Sequence, residues 1–292
     1  HQGDFRKIVQ GVNNTLEIVV AKIFWYEQIL DSISFPISVT DMDMNWTFFN
    51  KAAEGVTGKT RNEMIGKKCS NWNADICNTD KCGIALLKKG ITSSFFEQPG
   101  MDMNFQVDTS YLLDADGKQI GHIEVVQDVT KAQKISEYSK TEVERLSQNL
   151  SKLSKGELDF DLNVAPPDKY TESEYQNFSL INKNLNQVQD ALNLMASDAN
   201  MLVDSAIEGK LDTRADATKH NGDFKKIIEG INNTLDAVIG PLNVAAEYIE
   251  RISKGDIPPE ITDNYNGDFN EIKNNLNLCI VAVNSLVEYA NI

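Results

Sequence analysis

The sequence has no long apolar run and few basic residues. Among its 292 residues, no apolar run approaches the ~18 residues that mark a membrane-spanning helix. The 28 Lys and Arg residues are outnumbered by 43 Asp and Glu residues, which gives a net charge of −15. Because nucleic acids and anionic membranes attract basic patches, we expect neither to bind this chain, and we expect no membrane insertion of this fragment.

Catalytic motifs and targeting signals are also missing from the sequence. It contains no Walker loop, nucleophile elbow, dinucleotide fingerprint or kinase ATP-site motif, so we do not expect an enzyme. No signal peptide is visible. The four cysteines, three of them clustered, are more typical of an intracellular thiol or metal site than of a secreted disulfide framework. These features predict a cytoplasmic location.

One motif is repeated, and repeats decide the fold before anything else does. Three copies occur, the third looser than the others, at residues 2, 221 and 266: QGDFRKIVQGVNNTLEIVV, NGDFKKIIEGINNTLDAVI and NGDFNEIKNNLNLCIVAV. The chain begins inside the first copy, which is expected of a fragment of a longer protein.

Each copy begins a predicted coiled-coil helix. In the second copy, apolar residues follow at alternating spacings of four and three, which is typical of a coiled-coil seam: Phe224, Ile228, Ile231, Leu235, Val238, Leu242, Ala245, Ile249 and Ile252. We expect Pro241 to kink or strain this helix, unless packing absorbs the lost hydrogen bond. Similar seams occur at residues 5–26, 143–153, 178–202 and 269–290. We expect Cys279 to take a core position in the last of these seams.

Glycine ends the predicted helices. Gly156, Gly209 and Gly255 follow the seams and supply the left-handed residue that commonly closes a helix. The connectors that follow exceed the roughly two to eight residues that join antiparallel helices. Each connector can therefore run back along a helix and leave the two helices of a unit parallel. Because such a pair buries too little apolar surface, a second copy of the chain would complete a four-helix bundle.

This arrangement resembles the HAMP domain, a two-helix signal-relay module of bacterial receptors. The resemblance is carried by the glycine motifs and by the Gly-Asp-Phe that begins each second helix: Gly156-Glu-Leu158, Gly209-Lys-Leu211, Gly255-Asp-Ile257, Gly222-Asp-Phe224 and Gly267-Asp-Phe269. It implies that Phe224 and Phe269, like the three helix-ending glycines, act in signal relay.

The resemblance also implies a domain order. A truncated HAMP helix at 1–23 precedes the insert, and concatenated HAMP units follow at 131–195, 196–240 and 241–292. In the first of these units the connector is longer, and Tyr175-Gln-Asn-Phe178 stands in place of Gly-Asp-Phe.

Residues 24–130 break the heptad pattern and contain strand candidates. An Asp-Ala-Asp-Gly turn at 114–117 joins the last two, and a short helix is expected over Asn50–Gly58. The candidates are Phe35–Asp41, Trp46–Phe49, Thr92–Glu97, Met103–Leu113 and Gln119–Gln127.

This insert resembles a PAS domain, a small sensor fold. The motifs that carry the resemblance are Asn50-Lys-Ala-Ala-Glu54, Asp116-Gly117, Gly121-His-Ile-Glu124 and Asp128-Val-Thr130. The resemblance implies a five-stranded antiparallel sheet with short helices over one face. The predicted fold class is therefore α+β, with the PAS sheet beside parallel four-helix HAMP bundles formed by a homodimer. The PAS resemblance also implies that Asp128 and Thr130 hold the joint between sensor and relay.

PAS domains bind haem, flavin, metals, small metabolites or nothing, so the fold does not decide the ligand. Cys69 stands where flavin-binding photosensors carry a reactive cysteine, but the neighbouring residues depart from that motif. Cys69, Cys77 and Cys82 fit buried thiols, a redox switch or metal ligands. His122 shares a strand face with Glu124 and fits either a haem ligand or a surface or core histidine. His220, in a connector, is expected to be solvated.

The sequence therefore requires no cofactor. We expect the apolar residues of the insert to fill its core or to line a pocket: Ile37, Val39, Phe48, Ile65, Leu86, Leu87, Phe95, Phe105, Leu112, Ile123 and Val125.

The two resemblances imply a sensor and relay fragment of a chemotaxis receptor. PAS input would pass through HAMP units that alternate between two packings a few kcal/mol apart. The output would be a kinase-control domain outside this chain, and the partner a second copy of the chain. The same region fits a histidine kinase or a cyclase, and a cysteine-based redox or metal sensor is a third interpretation.

Overall fold

The computed structural model describes residues 2–290. The chain divides into two compact units, one formed by residues up to 144 with 165–177, the other by 145–164 with 178 onward. No helix among the described residues is long and apolar enough to cross a membrane. The helices are α1 Gln2–Ser32, α2 Lys51–Thr57, α3 Arg61–Met64, α4 Gly83–Leu87, α5 Thr130–Ser154, α6 Glu172–Ile207, α7 Gly222–Ser253 and α8 Asp268–Ala290, and the strands are β1 Ile37–Asp41, β2 Trp46–Phe49, β3 Ser93–Gln98, β4 Met103–Leu113 and β5 Gln119–Asp128.

The first unit contains a five-stranded antiparallel sheet in the order β2-β1-β5-β4-β3. This confirms the predicted α+β class and the predicted sheet. The turn between β4 and β5 forms because the Asp114 carboxylate accepts the backbone N–H groups of Asp116 and Lys118, at 3.1 and 2.9 Å. Gly117 in that turn has a φ of 79°, which glycine adopts without steric cost.

The sheet face that α4 covers is mostly polar, with Val107 as its buried apolar residue. Of the residues predicted to fill an apolar interior, Ile37 and Leu87 are buried. On the opposite face of β5, Ile123 and Val125 are only half-buried, and Phe95 on β3 is 67% exposed. Alternation along a strand fixes which residues share a face but not which face is covered. The buried polar residues are Ser38 and Thr40 of β1, Ser94 of β3, Thr109 of β4, and His122 and Glu124 of β5.

The apolar core of this unit lies where β2 meets the short helices. Its buried members are Trp46, Phe49, Ala53, Met64, Cys69 and Ile84. The ring centroids of Trp46, Phe49 and Trp72 lie 5.1 to 5.9 Å apart. Aromatic pairs at this spacing contribute about 0.5–1.5 kcal/mol beyond the burial of their area. This cluster therefore supplies much of the packing that the polar sheet face does not.

Asn50 ties the end of α1 to the sheet. Its side chain is fully buried, and its Oδ1 accepts the N–H groups of Ile37 and Ala53 at 2.9 and 3.0 Å. Its Nδ2 donates to the carbonyls of Leu30 and Phe35, at 3.1 and 2.9 Å. One side chain thus caps α2 and fixes both the start of β1 and the residues that lead into it.

The second unit shows the predicted glycine helix endings. Gly156, Gly209 and Gly255 have φ values of 78°, 76° and 82°. After each glycine, the next N–H bonds back across the last turn, which is the Schellman ending: Glu157 to Lys152, Lys210 to Ser205 and Asp256 to Arg251. The left-handed endings are confirmed, and their role in signal relay stays a prediction.

Helix α7 continues as one helix through Pro241, and the expected kink or strain there stays a prediction. Two local predictions about this unit require correction. Cys279 is exposed, because Leu276 and Ile280 take the buried positions on α8 and the spacing there is four rather than three.

The second correction concerns His220, which is buried rather than solvated. Its Nε2 lies 2.7 Å from Oδ2 of Asp198 on α6. A residue of the connector was expected to face solvent. His220, however, lies just before the start of α7, where it can reach the Asp198 carboxylate on α6.

Replacing Asn50 by Ala should lower the free energy of unfolding by about 2–4 kcal/mol. The change leaves the buried N–H of Ile37 and two carbonyls without their partner. Urea unfolding followed by tryptophan fluorescence measures it. Asn71→Ala is the control: Asn71 is exposed, and its loss should change the free energy by less than about 0.5 kcal/mol. Equal effects of the two substitutions would contradict the role assigned to Asn50.

Candidate functional site

A row of polar side chains crosses three strands under α4. Glu124 on β5 pairs with Ser38 on β1 and with Thr109 on β4. One step along the strands, His122 pairs with Thr40, and Nδ1 of His122 lies 3.1 Å from the Thr40 hydroxyl. We call Ser38, Glu124 and Thr109 the polar row. Directly opposite residues in a sheet have side chains about 5 Å apart, so these three groups are neighbours.

Many of the polar atoms in this interior have no hydrogen-bond partner within the described residues. Buried polar atoms are nearly always bonded in proteins, because an unpaired one costs about 1–3 kcal/mol. A concentration of them in one small region requires partners, which ordered water or a bound group can supply. The atoms are the hydroxyls of Ser38, Ser94 and Thr109, the indole nitrogens of Trp46 and Trp72, and Nε2 of His122.

Glu124 is the ionisable centre of the row. It is only 7% exposed, and burial raises the pKa of its carboxyl group from the usual 4.5 to about 7. Burial alone accounts for this shift. The side chain is therefore close to half protonated at neutral pH and responds to any group that favours one of its two charge states.

Helix α4 begins directly on top of the polar row. A Cβ atom at Gly83 would lie 2.5 Å from Oγ1 of Thr109 and 3.2 Å from Oε1 of Glu124. Only glycine permits this approach. The packing of α4 and the state of the Glu124 side chain are therefore coupled by contact.

The three clustered cysteines lie near this site but not as an assembled metal centre. Cys69 is buried, Cys77 and Cys82 are half-buried, and all three are free thiols. In residues 2–290, no three His, Cys, Asp or Glu side chains converge in a way that could hold a metal ion. Burial, and secondarily Glu124, raises the pKa of Cys69 to about 12, and burial raises that of Cys77. Neutral thiols are poor metal ligands and poor nucleophiles.

His122 is buried inside the sheet domain, as expected for a core histidine. Burial lowers the pKa of its imidazole below the usual 6.5, so the ring is neutral at physiological pH. Its Nδ1 is engaged by Thr40, which leaves Nε2 as the free atom. A single imidazole on the covered face of a sheet provides one hydrogen-bonding group of the site.

The exit from the sheet is held by Thr130, the first residue of α5. Its hydroxyl accepts the backbone N–H of Asn104 at 2.9 Å, and its own N–H donates to the Asp128 carboxylate at 2.9 Å. The Val129 N–H donates to the Asn104 carbonyl, also at 2.9 Å. The geometry places Asp128 and Thr130 where β4, β5 and α5 meet. Their role in transmitting a signal stays a prediction.

In the second unit, asparagines that sequence reasoning missed fix the connectors. The Asn232 side chain exchanges two hydrogen bonds with the backbone of Ala215, at 3.1 and 2.8 Å. The Asn277 side chain does the same with Ile261, at 2.8 and 3.1 Å. Both asparagines stand eight residues after the phenylalanine of Gly-Asp-Phe. We call this contact the connector clamp. Its signal in the sequence is the Asn-Asn or Asn-Leu-Asn segment of the repeats.

The first HAMP-like segment has a related contact with only one of these two hydrogen bonds, since Oδ1 of Asn182 accepts from Arg145 instead. Here Asn182 donates to the carbonyl of Leu162, which stands six residues after Gly156, as Ala215 stands six after Gly209. Counting eight residues back from Asn182 reaches Glu174, not Phe178. Glu172-Ser-Glu174, at the start of α6, therefore occupies the place of Gly-Asp-Phe.

Two of the three Gly-Asp-Phe phenylalanines, Phe224 and Phe269, are half-buried where their helices begin, whereas Phe5 is exposed. Phe224 follows the start of α7 and Phe269 follows that of α8. Phe269 lines a small pocket with Pro241, Tyr265 and Leu276. These phenylalanines pack at the start of each second helix, next to the connector.

Comparison with known families supports both resemblances. The model of the HAMP domain family matches residues 1–41 and 219–285, and a PAS fold model matches residues 30–134. No curated protein matches the chain. The PAS and HAMP matches together indicate a sensory signal-transduction region.

Solved structures with a similar fold include three PAS-type proteins. A PAS domain from Colwellia psychrerythraea is 15% identical, with a TM-score of 0.30, over 37% of this chain and 98% of that one. A sensory box sensor histidine kinase from Vibrio cholerae is 19% identical, with a TM-score of 0.27, over 40% and 98%. A PAS domain of an HTR-like protein from Haloarcula marismortui is 16% identical, with a TM-score of 0.30, over 41% and 98%.

Glu124→Gln should make the sheet domain more stable at pH 8 but not at pH 4. The pKa of Glu124 is higher in the folded protein than in the unfolded chain, so the native protein loses stability as pH rises from about 4.5 through about 7. The loss amounts to roughly 3 kcal/mol when complete. Urea midpoints across this pH range measure the difference. Glu97→Gln, at an exposed position on β3, is the control. A pH-independent effect of Glu124→Gln would refute the assignment.

Asn232→Ala should release the connector between α6 and α7 from its contact with α7. Loss of two hydrogen bonds to Ala215 should destabilise it by about 1–3 kcal/mol. Amide exchange of Ala215 should accelerate by at least about fivefold, since 1.4 kcal/mol corresponds to about a factor of ten. The exposed neighbour Asn233 provides the control, Asn233→Ala. Equal exchange rates in the two variants would mean that the connector is held by packing alone.

Proposed function

We propose that the chain is the sensor and relay region of a chemotaxis receptor, which works as a homodimer in the cytoplasm and has no enzymatic activity of its own. In this proposal, the PAS domain provides the input and concatenated HAMP units carry it to a kinase-control domain outside this chain. The observation that carries the proposal is the apolar seam that one chain leaves uncovered on its repeated helices.

The uncovered seam is clearest on α7. Val238, Leu242 and Ile249 belong to the predicted heptad seam, and they are 42%, 43% and 57% exposed. Other seam residues, such as Ile228, are buried against the neighbouring helix and connector of the same unit. Some apolar residues of α7 thus pack within its own unit, while others are left exposed. The exposed residues require a further partner to cover them. A second copy of the chain provides an equal seam and would complete a parallel four-helix bundle.

The input path begins at the polar row. A change in the charge or contacts of Glu124 acts on β5, and β5 ends at Asp128, four residues later. Asp128 and Thr130 join that strand to α5. A shift or rotation of the strand end would therefore be passed to the helix that leads into the relay. HAMP units with two packings of similar free energy would convert such a small shift into a switch.

The same sensor and relay would serve a histidine kinase or a cyclase. The three proteins differ in the output domain that follows the last HAMP unit, so the sequence that follows residue 292 in the full-length protein distinguishes them.

The homodimer is tested by Ile249→Glu. Because Ile249 is exposed within one chain, the substitution should leave the single chain folded and act only on the contact with a partner. Burial of an unpaired carboxylate costs several kcal/mol, so the dissociation constant of the dimer should rise by at least about hundredfold. Sedimentation over a concentration series measures it. Asn233→Glu, at an exposed polar position of α7, should remain dimeric. A monomeric wild-type chain, or an unchanged dimer in Ile249→Glu, would contradict the proposal.

A further inference from the structure

The polar row has the chemistry of a site for a positively charged donor. An ammonium group carries three N–H donors and no acceptor. The row offers three acceptors on adjacent strands, the carboxylate of Glu124 and the flanking hydroxyls of Ser38 and Thr109. Both hydroxyl oxygens lack a hydrogen-bond partner within the described residues. An ammonium nitrogen above Glu124 therefore faces acceptors on both sides of it.

The interior lacks the groups that would bind an anion. No Lys or Arg is buried in the part of the chain that the structure describes. His122 is a neutral imidazole because burial lowers its pKa, and Lys88, which acts on it electrostatically, is exposed. The chain as a whole has a net charge of −15, which attracts cations and repels anions.

Donor groups in the same interior indicate what else the ligand contains. Trp46 on β2 pairs with Thr40, which pairs with His122, one step along the strands from the polar row. The indole N–H groups of Trp46 and Trp72 have no acceptor among the described residues. An indole nitrogen can only donate, so it requires an oxygen on its partner. The faces of these rings also attract a nearby cation, with about 0.5–2 kcal/mol. An ammonium with a short oxygen-bearing tail would satisfy both sets of groups.

We infer that the sheet domain binds a small primary amine that carries an oxygen acceptor, with its ammonium group on Glu124 and on a hydroxyl of Ser38 or Thr109. The inference rests on the proposed sensory function and names the class of ligand for the same site. Because α4 contacts both Thr109 and Glu124 through Gly83, the amine must displace the start of α4. Ligand binding thereby changes the packing of the unit.

Glu124 is the acidic group of this interior, and burial raises its pKa to about 7, into the range between pH 6 and pH 8. Ser38 on β1 and Thr109 on β4 do not ionise, and Gly83 has no side chain. Cys69 and Cys77, whose thiols feel the charge of Glu124, have raised pKa values and remain neutral. His122 on the same strand is neutral because its pKa is lowered. The affinity for an ammonium ion should therefore follow the ionisation of Glu124, and should rise with pH through about 7.

The test uses three small molecules of nearly equal size and different charge. Ethanolamine is the amine, ethylene glycol its neutral counterpart and glycolate its anionic counterpart. The full chain with Trp25→Phe is titrated with each, since Trp46 and Trp72 then remain as fluorescent reporters inside the sheet domain. Ethanolamine should bind, and its affinity should be about tenfold weaker at pH 6 than at pH 8.

Two variants test the residues. Glu124→Gln preserves the shape of the side chain and should weaken ethanolamine binding at least tenfold, with loss of the pH dependence. Thr109→Val preserves the size of the side chain and should weaken binding several-fold. Exposed Glu97→Gln should have no effect. Urea unfolding confirms that each variant is folded before it is titrated.

The outcomes separate the ligand class from the proposed function. A stronger response to ethylene glycol or glycolate than to ethanolamine would overturn the amine inference and leave a sensory site of another specificity. Absence of any response, or equal binding by Glu124→Gln, would overturn it as well. Ethanolamine binding that leaves the amide exchange of α5 and the HAMP helices unchanged would support the amine site but contradict the proposed relay.

Discussion

A carboxyl group that is removed from water costs free energy unless a proton or a partner offsets the cost, and Glu124 imposes this constraint on the sheet domain. Its neighbours in the row, Ser38 and Thr109, have hydroxyls with no hydrogen-bond partner among residues 2–290. The fold holds these groups under α4 through contacts made elsewhere, chiefly the aromatic cluster around Trp46. The interior is therefore less stable than an apolar one would be. A partner that satisfies the row would release that cost, and this is the physical basis for coupling between binding and packing.

The polar row lies close to both connections of the sheet domain. Ser38 follows Ile37, whose N–H is held by Asn50 together with the end of α1. Glu124 precedes Asp128 on β5, and Asp128 and Thr130 fix the start of α5. A displacement at the row is thus one residue from the entry joint and four residues from the exit joint. In the HAMP-like unit, the connector clamps of Asn232 and Asn277 give each connector a fixed register against its helix. Movements of such a unit involve whole helices with their connectors.

The strands, the hairpin turn and the glycine helix endings could be predicted from the sequence, because each depends on local periodicity or on a single backbone conformation. The identity of the covered face could not. Alternation on β5 groups His122 with Glu124 and Ile123 with Val125, and hydrophobicity then favours the wrong pair as the interior. The difference arises from α4, whose Gly83 brings it onto the polar face, a tertiary contact with no periodic signal. The clamps were visible as an asparagine repeated at Asn13, Asn232 and Asn277, but an asparagine within an apolar seam is predicted to be solvated unless its connector partner is known.

The central claim is that the state of the polar row reaches the relay helices. Amide hydrogen exchange of the full chain at pH 8, compared between the wild type and Glu124→Gln, tests it most directly, because the substitution changes the charge of one buried group and no surface contact. The account predicts altered exchange in α4 and β5 that continues through residues 128–130 into α5 and the connector that follows it. Changes confined to α4 and β5, with identical exchange in α5, would contradict the claim and leave the polar row as a local feature of the sheet domain.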